Sequence, residues 1–441
     1  MSQNPLHIDG CWFKDEQGRV VILRGVNVAG NSKVPPFIPF TDAALLDPLK
    51  EWGMNVIRLV LIWEAIEPEP GKYNERYIDA METLVNAAGE RGIYVILDMH
   101  QDMFSRYVNG GCGDGAPSWA ITPSIPQDEP SNDERCIDWI NGLNDKNVLR
   151  AFDSLYANVN SIRDHYISMW AHIARRFGDH PAVIGYDLMN EPIGDEVSQL
   201  ALLYEDAGAA IRKVDPDGIL FVEPSILTSF GAIYSQLPAL SRGNYAYAPH
   251  FYSASLLLSD IFSLSEADKS FADFNSKVEE FGGVPLLLGE FGMYPEKTKV
   301  SEYIADIYRR LDDCFYGGTQ WDYCPGWSPV ALDGWNRENY SIIDDKGNIR
   351  RNFKVRGYAQ RIVGIPQKLE VSDNRIYLEW ENQPEVTAAT LLYVPIDVMF
   401  KGAKFDIVEG PSVHSKLDVE NRCLACTASG RGTRTVEVKA G

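Results

Sequence analysis

The sequence AVIGYDLMNEP, residues 182–192, combines an apolar run with polar residues at its end. A near-continuous apolar run of this length is typical of a strand that is buried on both faces, as in a parallel sheet. The run stops at Asn190 and Glu191, and a second run, VPLLLGEFG at 284–292, stops in the same way at Glu290. These two runs predict buried parallel strands that carry carboxylates at their carboxyl ends.

Six further runs of the same kind precede, separate or follow these two. Between the runs, apolar residues recur at three- and four-residue spacing, as in VSEYIADIYRRLDD, which indicates amphipathic helices. Eight alternating units predict a closed (β/α)8 TIM barrel, an α/β fold. The alternative, an open doubly wound sheet, usually has a glycine-rich phosphate loop after its first strand, and RGVNVAGN at 24–31 is not such a loop. The eight runs are 20–28, 55–63, 94–100, 182–190, 218–225, 244–252, 284–292 and 318–323.

The pattern changes after residue 364, where short alternating segments such as RIYLEWEN follow one another between turn residues. We therefore predict two domains, a barrel over residues 1–364 and a small C-terminal all-β sandwich over 365–441. Within the barrel, residues 103–150 form a long stretch rich in Gly, Pro, Asn and Asp. Because this stretch follows the third strand, we expect it on the active face of the barrel.

The charge of the chain excludes several classes of partner. Its 441 residues include 41 Lys and Arg against 62 Asp and Glu, a formal charge of −21. With 9 basic and 11 acidic residues in 365–441, the sandwich has a charge of −2, which leaves −19 on the barrel. Nucleic-acid binding needs a basic face, so we expect no nucleic-acid partner. Nothing in the pattern indicates an oligomer, and we expect a monomer.

Neither a membrane span nor a signal peptide is evident in the sequence. No apolar run approaches the roughly 20 residues that cross a bilayer. MSQNPLHIDG lacks the basic and apolar segments of a signal peptide, so the chain is either cytoplasmic or the mature part of an exported protein.

Among seven cysteines, Cys112 and Cys136 bracket the long stretch and would bridge it in an exported protein, whereas the lone CxxC of Cys423 and Cys426 reads as part of a strand.

Glu191 and Glu290 are the candidate catalytic pair. They end strands four and seven, which lie across the barrel mouth from each other. Carboxyl groups about 5 to 5.5 Å apart suit retaining glycoside hydrolysis, and a wider gap suits inversion. The alternative is that either residue only begins a helix or forms a salt bridge.

The surrounding motifs carry a strong resemblance to a known family. Arg58 in VIRLV, His100 at the end of strand three and Trp321 on strand eight accompany the two glutamates. With them, the chain resembles the clan A (β/α)8 retaining glycosidases of glycoside hydrolase family 5. The segments LDMHQDMFSR (97–106) and GDGAPSWA (113–120), together with a C-terminal sandwich, resemble the endoglycoceramidase branch.

The resemblance implies a role for each matching residue. Glu191 would be the acid/base and Glu290 the nucleophile, with Arg58 supporting the nucleophile. An acid must be protonated at the working pH, so we expect a raised pKa for Glu191. Asp98 would only orient its loop, and no metal or other cofactor is implied. The implied substrate-binding residues are Lys33, His100, Asp102, Asn190, His250, Tyr252 and Trp321.

The resemblance also implies the substrate, a glycosphingolipid cleaved between its oligosaccharide and its ceramide. The alternatives are a cellulase-like endo-β-glucanase, an endogalactosylceramidase specific for the 6-gala series, and a silent glycan- or lipid-binding protein. A lipid substrate favours a secreted enzyme with peripheral contact to a membrane or micelle. An apolar route for ceramide could be formed by 34–40, 103–150, 253–265 and 324–335, although SASLLLSDIF (253–262) also reads as a buried amphipathic helix.

Overall fold

The computed structural model describes residues 5–241 and 243–441. The strands are β1 (Leu6–Asp9), β2 (Trp12–Asp15), β3 (Val20–Val21), β4 (Arg24–Val28), β5 (Val56–Ile62), β6 (Tyr94–His100), β7 (Val183–Asp187), β8 (Ile219–Val222), β9 (Tyr245–Tyr247), β10 (His250–Phe251), β11 (Leu287–Leu288), β12 (Glu290–Phe291), β13 (Gly317–Tyr323), β14 (Tyr358–Ile362), β15 (Gly364–Ser372), β16 (Arg375–Asn382), β17 (Thr390–Tyr393), β18 (Phe405–Glu409), β19 (Val413–Asp418), β20 (Cys423–Ala428) and β21 (Gly432–Ala440).

The predicted barrel is confirmed. Its parallel strands follow the order β4, β5, β6, β7, β8 and β9, and β13 pairs with β4 on one side and β11 on the other. A parallel bridge between Tyr247 and Leu286 joins the two ends of this sheet, so the ring closes. β10 and β12 extend the sixth and seventh strands and pair with each other, with His250 opposite Glu290. The ends of strands six and seven are therefore direct neighbours, which places His250 beside Glu290.

Amphipathic helices cover the outside of the barrel. In the third helix of the chain, the buried side chains include Ile78, Met81 and Val85, and the Asn74 side chain caps the first turn by accepting from the N–H of Tyr77. No helix within the described residues is both long and apolar enough to cross a bilayer. The α-helices are α1 (Asp47–Glu51), α2 (Trp63–Ile66), α3 (Glu75–Glu90), α4 (Lys146–Tyr156), α5 (Ile162–Phe177), α6 (Ala201–Ile211), α7 (Ala254–Ser259), α8 (Leu264–Glu280), α9 (Val300–Asp313) and α10 (Ile396–Met399).

The C-terminal sandwich is confirmed and includes strands from the start of the chain. One sheet has the order β1-β2-β3-β14-β17-β20-β19, and the other has the order β15-β16-β21-β18. The first predicted strand, 20–28, is therefore two strands: β3 belongs to the sandwich and β4 to the barrel. The N–H of Ile22 bonds to the carbonyl of Gln360 where the chain passes between the sheets. The division at residue 364 stays a prediction, and strands from both sides of it share one sheet.

The long segment after β6 is anchored to the barrel. It contains a disulfide between Cys112 and Cys136, whereas Cys423 and Cys426 are free and lie in β20, as predicted for a structural strand. The main chains of Asp102 and Asp114 pair in an antiparallel β-bridge, and the side-chain amide of Asn336 donates to the carbonyl of Cys112. These contacts hold the segment over the carboxyl ends of the barrel strands.

Candidate active site

Glu290, at the start of β12, is held by hydrogen-bond donors on both of its oxygens. Arg58 Nη1 donates to Oε1 at 2.8 Å, and the Tyr252 hydroxyl donates to Oε2 at 2.7 Å. Both donors favour a carboxylate in one fixed orientation. Arg58, predicted to support Glu290, thus contacts it directly, and Tyr252, predicted to bind substrate, holds its second oxygen.

Glu191 follows β7 by four residues and faces Glu290 across His250. His250 Nδ1 lies 3.0 Å from Glu191 Oε1 and 3.5 Å from Glu290 Oε2. One carboxylate oxygen of Glu191 and one of Glu290 lie within 4.8 Å of each other. Such a close approach favours the retaining arrangement, in which the carboxyl groups are about 5 to 5.5 Å apart, over the wider gap that inversion needs for a water.

The two carboxyl groups lie in different surroundings. Burial raises the pKa of Glu191 to about 7, and the negative charges of Glu290 and Glu223 act in the same direction against the opposing effect of His250. Among the described residues, no arginine pairs with Glu191 as Arg58 pairs with Glu290. A raised pKa on one carboxyl group and cationic support on the other is the arrangement that separates an acid from a nucleophile.

Arg58 lies in the middle of β5 and is fully buried. Burial alone would lower its pKa, but the surrounding carboxylates outweigh burial and raise it well above its usual value. Four carboxylates lie 2.8 Å from its guanidinium, and its remaining hydrogen bonds go to the side-chain oxygens of two asparagines. The carboxylates belong to Asp98, Asp187, Glu223 and Glu290, and the asparagines are Asn27 and Asn190.

A second cluster of side chains, polar and aromatic, surrounds Lys33. The Lys33 ammonium lies 2.7 Å from Asp102 and 4.5 Å from the ring centre of Trp321. Trp321 stacks on His100 with the rings 5.3 Å apart and nearly parallel. Burial opposes protonation of His100, but Asp98, 2.8 Å from Nδ1, helps to raise the pKa of His100 to about 10. Lys33 is therefore a buried, ion-paired lysine.

One open cavity of about 230 Å³ is lined both by the catalytic glutamates and by the residues around Lys33. Its wall includes every predicted site residue except Arg58 and His250, which lie beneath it and contact the catalytic pair. The wall also includes Glu338, whose Oε2 lies 3.6 Å from Lys33 and has no hydrogen-bond partner among the described residues. The polar side of the cavity therefore offers charged groups and an aromatic face to a carbohydrate.

Apolar side chains, here called the apolar wall, also line the cavity. Ile137, Trp139 and Ile140 come from the long segment after β6, and Leu257 comes from α7. SASLLLSDIF contains a helix, as the alternative predicted, but the helix is only partly buried: α7 buries Leu256 and exposes 81% of Leu258.

The stretch 34–40, predicted as part of an apolar route, contributes no described residue to this cavity. Phe37 is buried instead, with its ring 5.7 Å from the Arg106 guanidinium carbon. Phe230 and Tyr294 line the cavity and were not predicted. Both lie in irregular loops, where no periodic pattern indicates the direction of a side chain.

Three clusters have the spacing of metal ligands: His100 with Asp102 and Asp114, Glu191 with His250 and Glu290, and Asp98 with Asp187 and Glu223. In each case a cationic side chain of the protein already contacts the carboxylates. These cations are Lys33, His250 and Arg58, respectively. The donor sets are therefore matched to cations that the chain itself supplies.

Sequence analysis missed Asn27, Asp187, Glu223 and Glu338. For Glu223 a signal existed, because GILFVEPS places a Glu before a Pro at a strand end, as in the Asn190–Pro192 motif. Asp187 lies inside an apolar run, where a single acid gives no indication of its partner. Glu338 follows the last barrel strand by a long irregular loop, so only the folded chain brings it to Lys33.

Comparison with known proteins identifies the family. The family profile of cellulase (glycosyl hydrolase family 5) matches residues 14–326. The chain is 26% identical to endoglycoceramidase I of Rhodococcus hoagii (strain 103S), over 98% of this chain and 88% of that protein.

Solved structures of endo-glycoceramidase II from Rhodococcus sp. are also similar, each with 28% identity. The complex with ganglioside GM3 has a TM-score of 0.84 and covers 98% of this chain and 100% of the other. The lactosyl-enzyme intermediate has a TM-score of 0.83 and covers 98% and 99%. Together with the paired glutamates on a closed barrel, the profile match shows that the chain belongs to glycosyl hydrolase family 5.

Proposed function

We propose that the protein is an endoglycoceramidase, a retaining glycosidase that hydrolyses the β-bond between the oligosaccharide and the ceramide of glycosphingolipids. The observation that carries this proposal is the cavity, which is lined by a close pair of carboxylates together with polar and apolar side chains. A substrate with a glycan on one side of the scissile bond and a lipid on the other matches both walls. The relatives named endoglycoceramidases support the same substrate class.

Glu290 attacks the anomeric carbon and forms a covalent glycosyl-enzyme. At the same time, Glu191 gives its proton to the departing ceramide oxygen, as its pKa of about 7 allows near neutral pH. Glu191 then takes a proton from water, which attacks the same carbon and releases the glycan with retained configuration. Asn190 holds the 2-hydroxyl of the sugar, and its Oδ1 is oriented by Arg58 Nη2 at 3.0 Å.

The polar wall binds the sugar that is attached to ceramide. Trp321 offers an aromatic face to the apolar side of the pyranose, and Lys33 and Asp102 bind its hydroxyls. Burial opposes ionisation of Asp102, but the Lys33 ammonium outweighs it and lowers the pKa of Asp102. The His100 imidazole, parallel to Trp321, holds that ring in place.

The competing candidate is an endo-β-glucanase of the same family. We expect the protein to release intact oligosaccharide from a mixed-brain ganglioside preparation and to leave cello-oligosaccharides uncut, with products followed by chromatography of fluorescently labelled glycans. A substrate with sugars on both sides of the scissile bond does not match the apolar wall. Release of sugar from cello-oligosaccharides alone would contradict the proposal.

We also propose that the protein contacts the surface of a membrane or micelle through an apolar rim beside the cavity. The rim consists of Ile137, Leu258, Ile261 and Leu264, whose side chains are 56% to 81% exposed. Clustered exposed apolar side chains of this size are typical of lipid or protein contacts. Because the barrel has a charge of −19, we expect the contact to favour uncharged lipid over anionic lipid.

Replacing Leu258, Ile261 and Leu264 together with serine should lower hydrolysis of vesicle-embedded glycolipid about tenfold or more, because the lost apolar contact weakens attachment. Hydrolysis of a soluble aryl glycoside should change little. The matched control is Val419→Ser, which removes a side chain of the sandwich that is 59% exposed and should leave both rates unchanged. Equal losses on the two substrates would contradict the rim.

We propose that the protein is secreted and acts as a monomer. The disulfide between Cys112 and Cys136 supports an oxidising compartment, where such bonds persist. A glycolipid displayed on an outer surface is also a substrate that a secreted enzyme meets.

A further inference from the structure

Glu223 is a buried carboxylate with a position in the site that the reaction steps above do not use. It follows β8 directly, and only 2% of it is exposed. Because Pro224 comes next, the backbone of Glu223 is restricted to an extended conformation. The hydroxyl of Tyr204, on α6, donates to the Glu223 carbonyl at 2.9 Å. The main chain of Glu223 is thus held in place.

The two oxygens of Glu223 reach different parts of the catalytic group. Oε2 accepts a hydrogen bond of 2.8 Å from the backbone N–H of Glu191. Oε1 accepts one of 2.8 Å from Arg58 Nη2, and it lies 3.3 Å from His250 Nε2. His250 and Arg58 in turn contact Glu191 and Glu290, respectively. Glu223 therefore contacts His250 and Arg58, the side chains that hold the two catalytic glutamates, and also the main chain of Glu191.

The main chain of Glu191 needs such a contact. Its φ angle is 38°, in the left-handed region that residues with side chains rarely adopt. Gln101 Nε2 donates to the Glu191 carbonyl at 3.1 Å, and Glu223 accepts from its N–H, so the residue is held on both sides. Loss of either contact would allow the backbone to relax and would turn the carboxyl group away from the leaving-group oxygen.

We propose that Glu223 is a positioning residue that holds Glu191 in the orientation from which it protonates the departing ceramide oxygen. The inference rests on the proposed roles of Glu191 and Glu290. A glutamine at this position has one acceptor oxygen in place of two, and its NH₂ group would face the donor N–H of Glu191 or of Arg58. A single amide substitution therefore breaks one of the two contacts without removing the side chain.

The test compares leaving groups. The substrates are the phenyl and the 2,4-dinitrophenyl β-glycosides of the glycan that the wild-type protein releases from its glycolipid. Phenol needs a proton to depart, whereas dinitrophenolate does not. We expect Glu223→Gln to lower kcat/KM for the phenyl glycoside about 100-fold and that for the dinitrophenyl glycoside less than about 5-fold. A merely structural defect lowers both values by the same factor, and that result would overturn the inference.

Asp187→Asn is the matched control, because Asp187 contacts Arg58 Nε at 2.8 Å. That contact supports the nucleophile, so we expect equal losses on the two glycosides. If Glu223→Gln does not fold, Glu223→Asp serves in its place. It keeps the charge but shortens the side chain by one methylene, and it should show the same selective loss.

A double-substitution cycle separates this inference from the proposed function. In a Glu191→Ala background, Glu223→Gln should add less than about a 3-fold loss on the phenyl glycoside, because the group that it positions is already absent. A further 100-fold loss would overturn the inference. If Glu191→Ala itself shows no dependence on the leaving group, the proposed acid/base role fails instead.

Discussion

Glu290→Gln is expected to lower kcat for glycosphingolipid hydrolysis by on the order of 10⁵-fold or more, the loss expected when a covalent nucleophile is removed. The amide is a poor nucleophile, and without a covalent intermediate the double displacement cannot begin. The substitution is nearly isosteric, and both donors to Glu290, Arg58 Nη1 and the Tyr252 hydroxyl, remain. We therefore expect a folded protein that still binds glycolipid.

The measurement is release of the glycan over hours at high enzyme concentration, with unfolding followed by circular dichroism. Glu302→Gln is the control, since Glu302 is an exposed residue of α9 that pairs only with Lys299 among the described residues. It should retain full activity. If Glu290→Gln kept more than about a hundredth of the wild-type rate, Glu290 would not be the nucleophile.

Glu191→Gln is expected to lower hydrolysis of the glycolipid by about 10³- to 10⁴-fold, the upper range for loss of a general acid/base. A glutamine can neither protonate the ceramide oxygen nor deprotonate the water. With a dinitrophenyl glycoside the first step should proceed and the glycosyl-enzyme should accumulate, because only the second step then needs residue 191. Mass spectrometry of the intact protein detects the added mass of the glycan.

The pH profile gives a separate test of Glu191. The reactive form is the protonated acid, whose pKa is raised to about 7 by burial. The kcat/KM of the wild-type protein should therefore fall as pH rises above about 7, by about tenfold per unit once the acid is ionised. This alkaline limb should be absent in Glu191→Gln.

Azide added to Glu191→Gln needs no base, so it should restore turnover of this variant and yield the glycosyl azide of retained configuration. Failure of both effects would rule out Glu191 as the acid/base.

Much of the site was predictable from sequence because a barrel gathers the carboxyl ends of its strands at one face. His100, Glu191 and Glu290 stand at or just after such ends, so a correct strand assignment was sufficient to bring them together. Arg58 is different, since it lies inside a buried strand. The family resemblance of the VIRLV motif predicted that Arg58 supports Glu290. The local sequence gave no indication that four carboxylates surround its guanidinium.

The apolar wall was less predictable. The stretch 34–40 and α7 are similarly rich in apolar residues, yet Phe37 is buried and Leu258 is exposed. Local composition cannot distinguish these outcomes, because exposure depends on what the rest of the chain packs against the segment. Strands β1 and β2 were missed because they are short. β3 was assigned to the barrel for a related reason, since its sandwich partner β14 lies more than 300 residues away in the chain.

The sequence by itself determined the eight-unit barrel, the following sandwich and the catalytic pair, because periodicity is local and the ends of parallel strands share one face. Only the tertiary structure decided the distance of less than 4.8 Å between carboxylate oxygens of Glu191 and Glu290, the contacts of Glu223, and which loops form the apolar wall. Those features depend on residues far apart in the chain meeting in a buried space. Hydrogen-bond geometry and burial there determine which of the two glutamates acts as the acid and which as the nucleophile.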